Sequence, residues 1–183
     1  RSSVSLLTLC LSQTAQAAPM DLFFSEYVEG SSNNKALEIY NGTGATIDLG
    51  TGGYVIQIYN GNSTTANKNI SLTGTVMAGD VFVICQKTAT DTTVIAQADQ
   101  TYGTAWFDGN DTIVLKKGVA SGTTLDVIGQ IGFTGTEWGS GLTSTVKHTI
   151  RRKPTVCHGD PNPSNTSFDP AKEWDGFPQD TFN

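Results

Sequence analysis

The chain has 183 residues, enough for one domain with an appendage or two small ones, and its 37% hydrophobic content is that of a folded protein. Charged residues are sparse at 15%, and Thr, Gly, Ser and Asn fill the gap, which favours strands and tight turns over helices rich in Glu and Lys. A formal net charge of −6 repels phosphate backbones and argues against broad nucleic-acid binding without bridging cations.

Arg1 precedes an apolar run from Val4 to Leu11, and a polar stretch then ends in Ala15-Gln16-Ala17-Ala18. This order of charge, apolar core and small residues is that of the tail of a secretory signal peptide, cleaved after Ala17 or Ala18. Residues 1–18 are therefore expected to be a leader remnant, cut within the leader because Met is missing, and the mature protein to be secreted and extracellular. No later segment approaches the roughly 20 apolar residues of a membrane span. Loss of the leader removes Arg1, which makes the chain more acidic, and Cys10, which leaves Cys85 and Cys157. An oxidising exterior favours one disulfide between these two, with two separately buried thiols as the alternative.

The mature part reads as short strands separated by turn residues. Asp21 to Val28 alternates, with Leu22, Phe24, Glu26 and Val28 on one face and Phe23, Ser25 and Tyr27 on the other. The Gly30 to Asn34 loop leads into a strand over 36–40, and another follows over 54–59. Asn41-Gly42 and Asn60-Gly61 accept positive φ and mark tight turns. Further strands are predicted over 69–72, 81–85, 112–116, 125–131 and 146–151. The continuously apolar Val81 to Cys85 suits a strand covered on both faces. One short helix is predicted over 92–98 with Asp91 as its N-cap. Seven to nine short strands at this spacing predict an all-β two-sheet sandwich. Residues 157–183, rich in Pro and polar residues, are expected to form an irregular strap or the start of a linker after a sandwich domain over 19–156.

Motifs for chemistry are scarce. The Gly-x-Ser-x-Gly elbow, the phosphate loop and the His-Glu-x-x-His zinc helix are missing, and the two histidines are His148 and His158. No catalytic residue is assigned. Asp160, Asn162 and Asp169 carry oxygens that can surround a hard cation such as calcium, although the spacing is not that of an EF-hand; a polar turn explains the same residues. Asp108-Gly109-Asn110-Asp111 reads as a hairpin turn rather than a metal site. Lys147, His148, Arg151, Arg152 and Lys153 form the one basic run. Lys147, Arg151, Arg152 and Lys153 are candidates for contacting phosphate, and a charged edge strand that discourages aggregation is the competing reading. Trp106, Trp138 and Trp174 are either a sugar-stacking surface or buried core.

The segment from Ser25 to Asn41, Ser-Glu-Tyr-Val-Glu-Gly-Ser-Ser-Asn-Asn-Lys-Ala-Leu-Glu-Ile-Tyr-Asn, resembles the opening of the lamin-tail domain of bacterial secreted extracellular nucleases. The resemblance continues through Ile47 to Leu49, Ala78 to Val83, Phe107 to Asp111, Asp126 to Gly129, Glu137 to Gly139, Leu142 to Thr145 and Thr149 to Lys153. It closes on Phe168 to Phe177. The resemblance implies an immunoglobulin-like β-sandwich at the N-terminal end of a nuclease of the endonuclease/exonuclease/phosphatase type. It implies a non-catalytic accessory or targeting role, with the downstream nuclease domain, DNA or a cell-surface component as partner. The alternative is a stand-alone secreted adhesive or DNA-binding domain. No cofactor is implied beyond the calcium already weighed.

Overall fold

The computed structural model describes residues 20–103, 105–164 and 168–182. The predicted leader lies outside them. In chain order the elements are β1 (Phe23–Glu29), β2 (Lys35–Tyr40), β3 (Ile47–Asp48), β4 (Val55–Tyr59), β5 (Lys68–Ser71), β6 (Thr75–Val76), β7 (Val81–Gln86), α1 (Thr92–Gln97), β8 (Gln100–Tyr102), β9 (Thr112–Lys117) and β10 (Thr123–Ile128). A 3-10 turn (Gly141–Thr143), β11 (Thr149–Arg152), α2 (Pro170–Glu173) and β12 (Trp174–Phe177) follow.

One sheet has six strands in the order β12-β11-β1-β2-β7-β8 and a second has four, β10-β9-β4-β5. A two-stranded ribbon pairs β3 with β6. All pairings are antiparallel except β7 with β8, which α1 makes possible by returning the chain to the start of the sheet. Between the sheets lies one apolar core. Phe24, Tyr27, Leu37, Ile39, Phe82, Ile84 and Ile150 meet Ile56, Ile58, Ile70, Ile113, Leu115 and Ile128, as the alternation of a sandwich requires. Val83 and Cys85 point to the opposite face of β7, where Val28, Ala36 and Val94 of α1 cover them. The double burial expected of 81–85 is thus met by core on one side and a helix on the other.

The eight longer predicted strands and the helix are present. Asp91 caps α1 by accepting from the backbone N–H groups of Thr93 and Val94. Four strands escape the sequence pattern. β3 and β6 have two residues each, β8 has three, and β12 reads Trp-Asp-Gly-Phe, which lacks any β-branched residue. The last of these corrects the irregular strap, because α2 and β12 build the end of the large sheet. Gly176 makes this possible by letting β12 lie against the Leu142-Thr143 backbone, where a Cβ would collide. Gly61 takes the positive φ expected of its turn, at 51°. At Asn41 the side chain organises the bend instead. Its amide Nδ2 donates to the carbonyls of Ala45, Val76 and Met77, and its Oδ1 accepts from Thr43.

Two β-bulges change which way side chains point. In β1 the register slips between Phe24 and Glu26, and in β10 between Thr124 and Asp126. The first breaks the simple alternation predicted for 21–28. Leu22, Phe24 and Tyr27 enter the core, while Glu26 and Val28 turn outward. The second sends Asp126 inward.

Candidate functional site

The basic run divides between two environments. β11 lies between β1 and β12, so it is an interior strand and not the charged edge the sequence suggested. Lys147 precedes it with φ 55°, an αL conformation outside the strand alternation, and its backbone N–H donates to Glu29. Arg152 is 1% exposed. Its guanidinium bonds Asp126, Glu173 (2.6 Å) and the Phe24 carbonyl (3.1 Å), and its Cζ sits 4.2 Å from the centre of the Trp174 ring. The guanidinium itself is buried and fully engaged by these partners, so Arg152 is withdrawn from the phosphate-contact set. Lys153 donates to the carbonyls of Ala171 and Lys172 at the end of α2.

Asp126 is the centre of the buried network. Besides Arg152 it accepts from the backbone N–H groups of Phe24 (2.8 Å), Val127 (2.9 Å) and Asp160 (2.7 Å). A carboxylate buried at 0% exposure is tolerable because its lone pairs are filled by a cation and three amides.

Arg151, one residue earlier, points the other way. Its Nε donates to Glu26 (2.8 Å), its Nη2 to the Thr181 carbonyl (3.5 Å), and its Cζ lies 4.4 Å from the centre of the Phe177 ring. Glu26 and Glu38 are direct cross-strand partners on β1 and β2. Glu38 accepts from the Ser25 hydroxyl (2.7 Å), the bulge residue itself. Burial pushes the Glu26 carboxyl up to about 7 and raises that of Glu38; the Arg151 charge opposes both shifts, and Glu26 also feels the charge of Glu38. Val28, Ala36, Val83, Val94 and Phe182 wall a groove beside the two acids. Sequence reading missed this pair. Glu26 and Glu38 lie in ordinary alternating strands, and the signal for their meeting is a bulge that no local motif announces.

The other expected sites resolve into structure. Asp160 and Asn162 close their own turns by accepting from the N–H groups of Asn162 (2.9 Å) and Ser164 (3.2 Å), and Asp169 caps α2 through Ala171. Their oxygens do not converge on one point in these bonds. Asp111 ties the 108–111 turn to its neighbour, accepting from Gly61, Asn60 and Asp108, and burial raises its carboxyl. Trp106, Trp138 and Trp174 are buried, and their indole Nε1 groups have no hydrogen-bond partner, so they are core residues rather than a sugar platform. Cys85 is a free thiol under α1, so the expected Cys85–Cys157 bridge is not formed. The reason is placement. Cys85 faces the helix, whereas the chain two residues beyond Cys157 lies at Gly159 against Leu125 and Asp126 of β10. Among the described residues no helix is long and apolar enough to cross a membrane, and no three His, Cys, Asp or Glu side chains are grouped to hold a metal ion.

Two sheets, antiparallel except for the β7–β8 pair, with an apolar core between them define an immunoglobulin-like sandwich. The family model of the lamin tail domain matches residues 15–132, more than half of the chain, and the chain belongs to that family. No curated protein matches it significantly. The matched region includes the segments from Ser25 to Gly129 that carry the resemblance, and it stops before β11 and β12, which the structure shows to be members of the same large sheet.

Proposed function

We propose that this lamin tail domain is the non-catalytic accessory or targeting module of a secreted nuclease-like protein. Family membership over residues 15–132 is the observation that carries the reading. The nuclease association rests on the likeness of Ser25 to Asn41 and of the later segments to domains of that setting, and export rests on the leader-like order of residues 1–18. The structure supports a role through contacts rather than chemistry, since Asp126, Arg152 and Asp111 serve the fold. With Arg152 enclosed and the chain acidic, the module's partner is better sought in the attached nuclease domain or a cell-surface component than in DNA held by β11.

Reading the coding frame on either side of this segment tests the proposal. A frame continuous with a metal-dependent nuclease domain is the expected result, and a frame holding this domain alone would refute the nuclease association. Purified residues 19–183 should leave plasmid DNA intact with magnesium or calcium present. Cleavage by a preparation free of contaminating nuclease would refute the non-catalytic assignment.

A further inference from the structure

The outer face of the large sheet carries a pair of acids in which charge and countercharge do not balance. Glu26 and Glu38 stand opposite each other on adjacent antiparallel strands, where side chains lie about 5 Å apart at Cβ. Arg151 from β11 is the cation facing both, with the exposed Asp175 of β12 as its cross-strand neighbour on the other side. Asp80, at the turn into β7, adds a further negative charge to the field at Glu38. α1 contributes Val94 and the uncharged Gln97, and β7 contributes Val83. Asp99, which follows α1, is bonded to the Val83 backbone, and Lys35 is committed to Glu29 at the far end of the same two strands. Two carboxylates therefore share one guanidinium beside an apolar wall, and like charges so placed cannot both ionise without cost.

The same guanidinium holds the C-terminal segment. Arg151 donates to the Thr181 carbonyl, Phe182 forms part of the groove wall, and the Asp180 carboxylate accepts from the Ser31 backbone N–H at 2.7 Å. We propose that Glu26 and Glu38 form a proton-binding pair which seats residues 178–182 on the sheet while it holds one proton and releases them when both carboxylates are ionised. Loss of the shared proton to bulk water leaves two anions in the groove. Water must then enter to solvate them, and Phe182 occupies the way in. Arg151, drawn to bridge both carboxylates, gives up Thr181. The sign follows from linkage. A carboxyl raised in the folded state binds a proton there that it would lose in water, so seating is strongest below the ordinary carboxylate range and fades as pH rises through the folded value near 7.

The test is an NMR titration of the full chain from pH 3.5 to 8.5. It follows the side-chain carboxyl carbons of Glu26 and Glu38 and the cross-relaxation between the Phe182 ring and the Val83 and Val94 methyl groups. One of the two carboxyls is expected to titrate between pH 6 and 8, and the Phe182 contacts to fall at least fivefold over the same interval. In E38Q, where Glu26 has Arg151 to itself, Glu26 should titrate below pH 6 and the Phe182 contacts should persist to pH 8.5. Titration of both acids below pH 5 in the wild type overturns the proposal. So does a titration near 7 that leaves Phe182 in place, or loss of the contacts in E38Q at high pH. Should E38Q fail to fold, the wild-type titration and contacts decide by themselves.

Discussion

Arg151 and Arg152 are neighbours in sequence and opposites in surroundings. Each faces two carboxylates, Glu26 and Glu38 for the first, Asp126 and Glu173 for the second. The inner pair is completed by backbone N–H donors from β1, β10 and the 160 turn, so Asp126 is satisfied on all sides. The outer pair has one hydroxyl, that of Ser25, as its further donor. Burial is thus compatible with charge where the backbone supplies dipoles, and it drives a carboxyl toward its neutral form where the backbone does not. Alternation of β11 alone decides which arginine meets which environment.

The largest expected effect comes from breaking the inner network. Arg152→Met strands Asp126 in the core and should lower stability by about 3–5 kcal/mol in urea denaturation. Arg151→Met should cost about 1 kcal/mol at pH 6, because Glu26 and Glu38 can take up protons; equal losses in the two variants would erase the distinction drawn between them. Next in size is the pH dependence. With Glu26 raised from 4.5 to about 7, stability is fully present below pH 4.5 and is lost as pH rises through 7. The loss should be on the order of 1–3 kcal/mol, read as the difference between urea midpoints of the wild type and Glu38→Gln across that range. A neutral buried hub offers a comparison without charge. Asn41→Ala removes a donor from three carbonyls, of which those of Ala45 and Met77 keep Thr43 Oγ1 and the Asp80 N–H, and should cost about 1–2 kcal/mol at every pH. The smallest change lies away from both networks. Val119 is β-branched, 59% exposed and held at φ 65°, so Val119→Asn should raise stability by about 1 kcal/mol in thermal unfolding.

What could be read from the sequence is what depends on local pattern. Apolar alternation marks the eight longer strands, the unbroken run at 81–85 announces a strand covered twice, and Asp91 before Thr92 marks a helix start that the capping bonds bear out. The opening segment at 25–41 points to the family that the match over 15–132 establishes. What could not be read depends on encounters between distant residues. β12 is a strand because β11 and the close Gly176 passage make room for it, and its own composition argues against it. Lys147 to Lys153 looked like one basic surface because charge is visible in sequence and burial is not. The acid pair was hidden by a bulge of one residue, which reverses every inference about facing beyond it.

The first strand of the large sheet has partners from both ends of the described chain. β1 pairs with β2 a few residues on, and on its other side with β11, where Glu26 meets Arg151 across 125 residues. Until β11 has been synthesised, a chain emerging from the ribosome carries β1 with an open edge, its Phe24 carbonyl awaiting Arg152. Closure over such a separation is slow compared with forming a hairpin. The domain is therefore built to finish late: its opening strand keeps one edge unpaired until most of the described chain has been made.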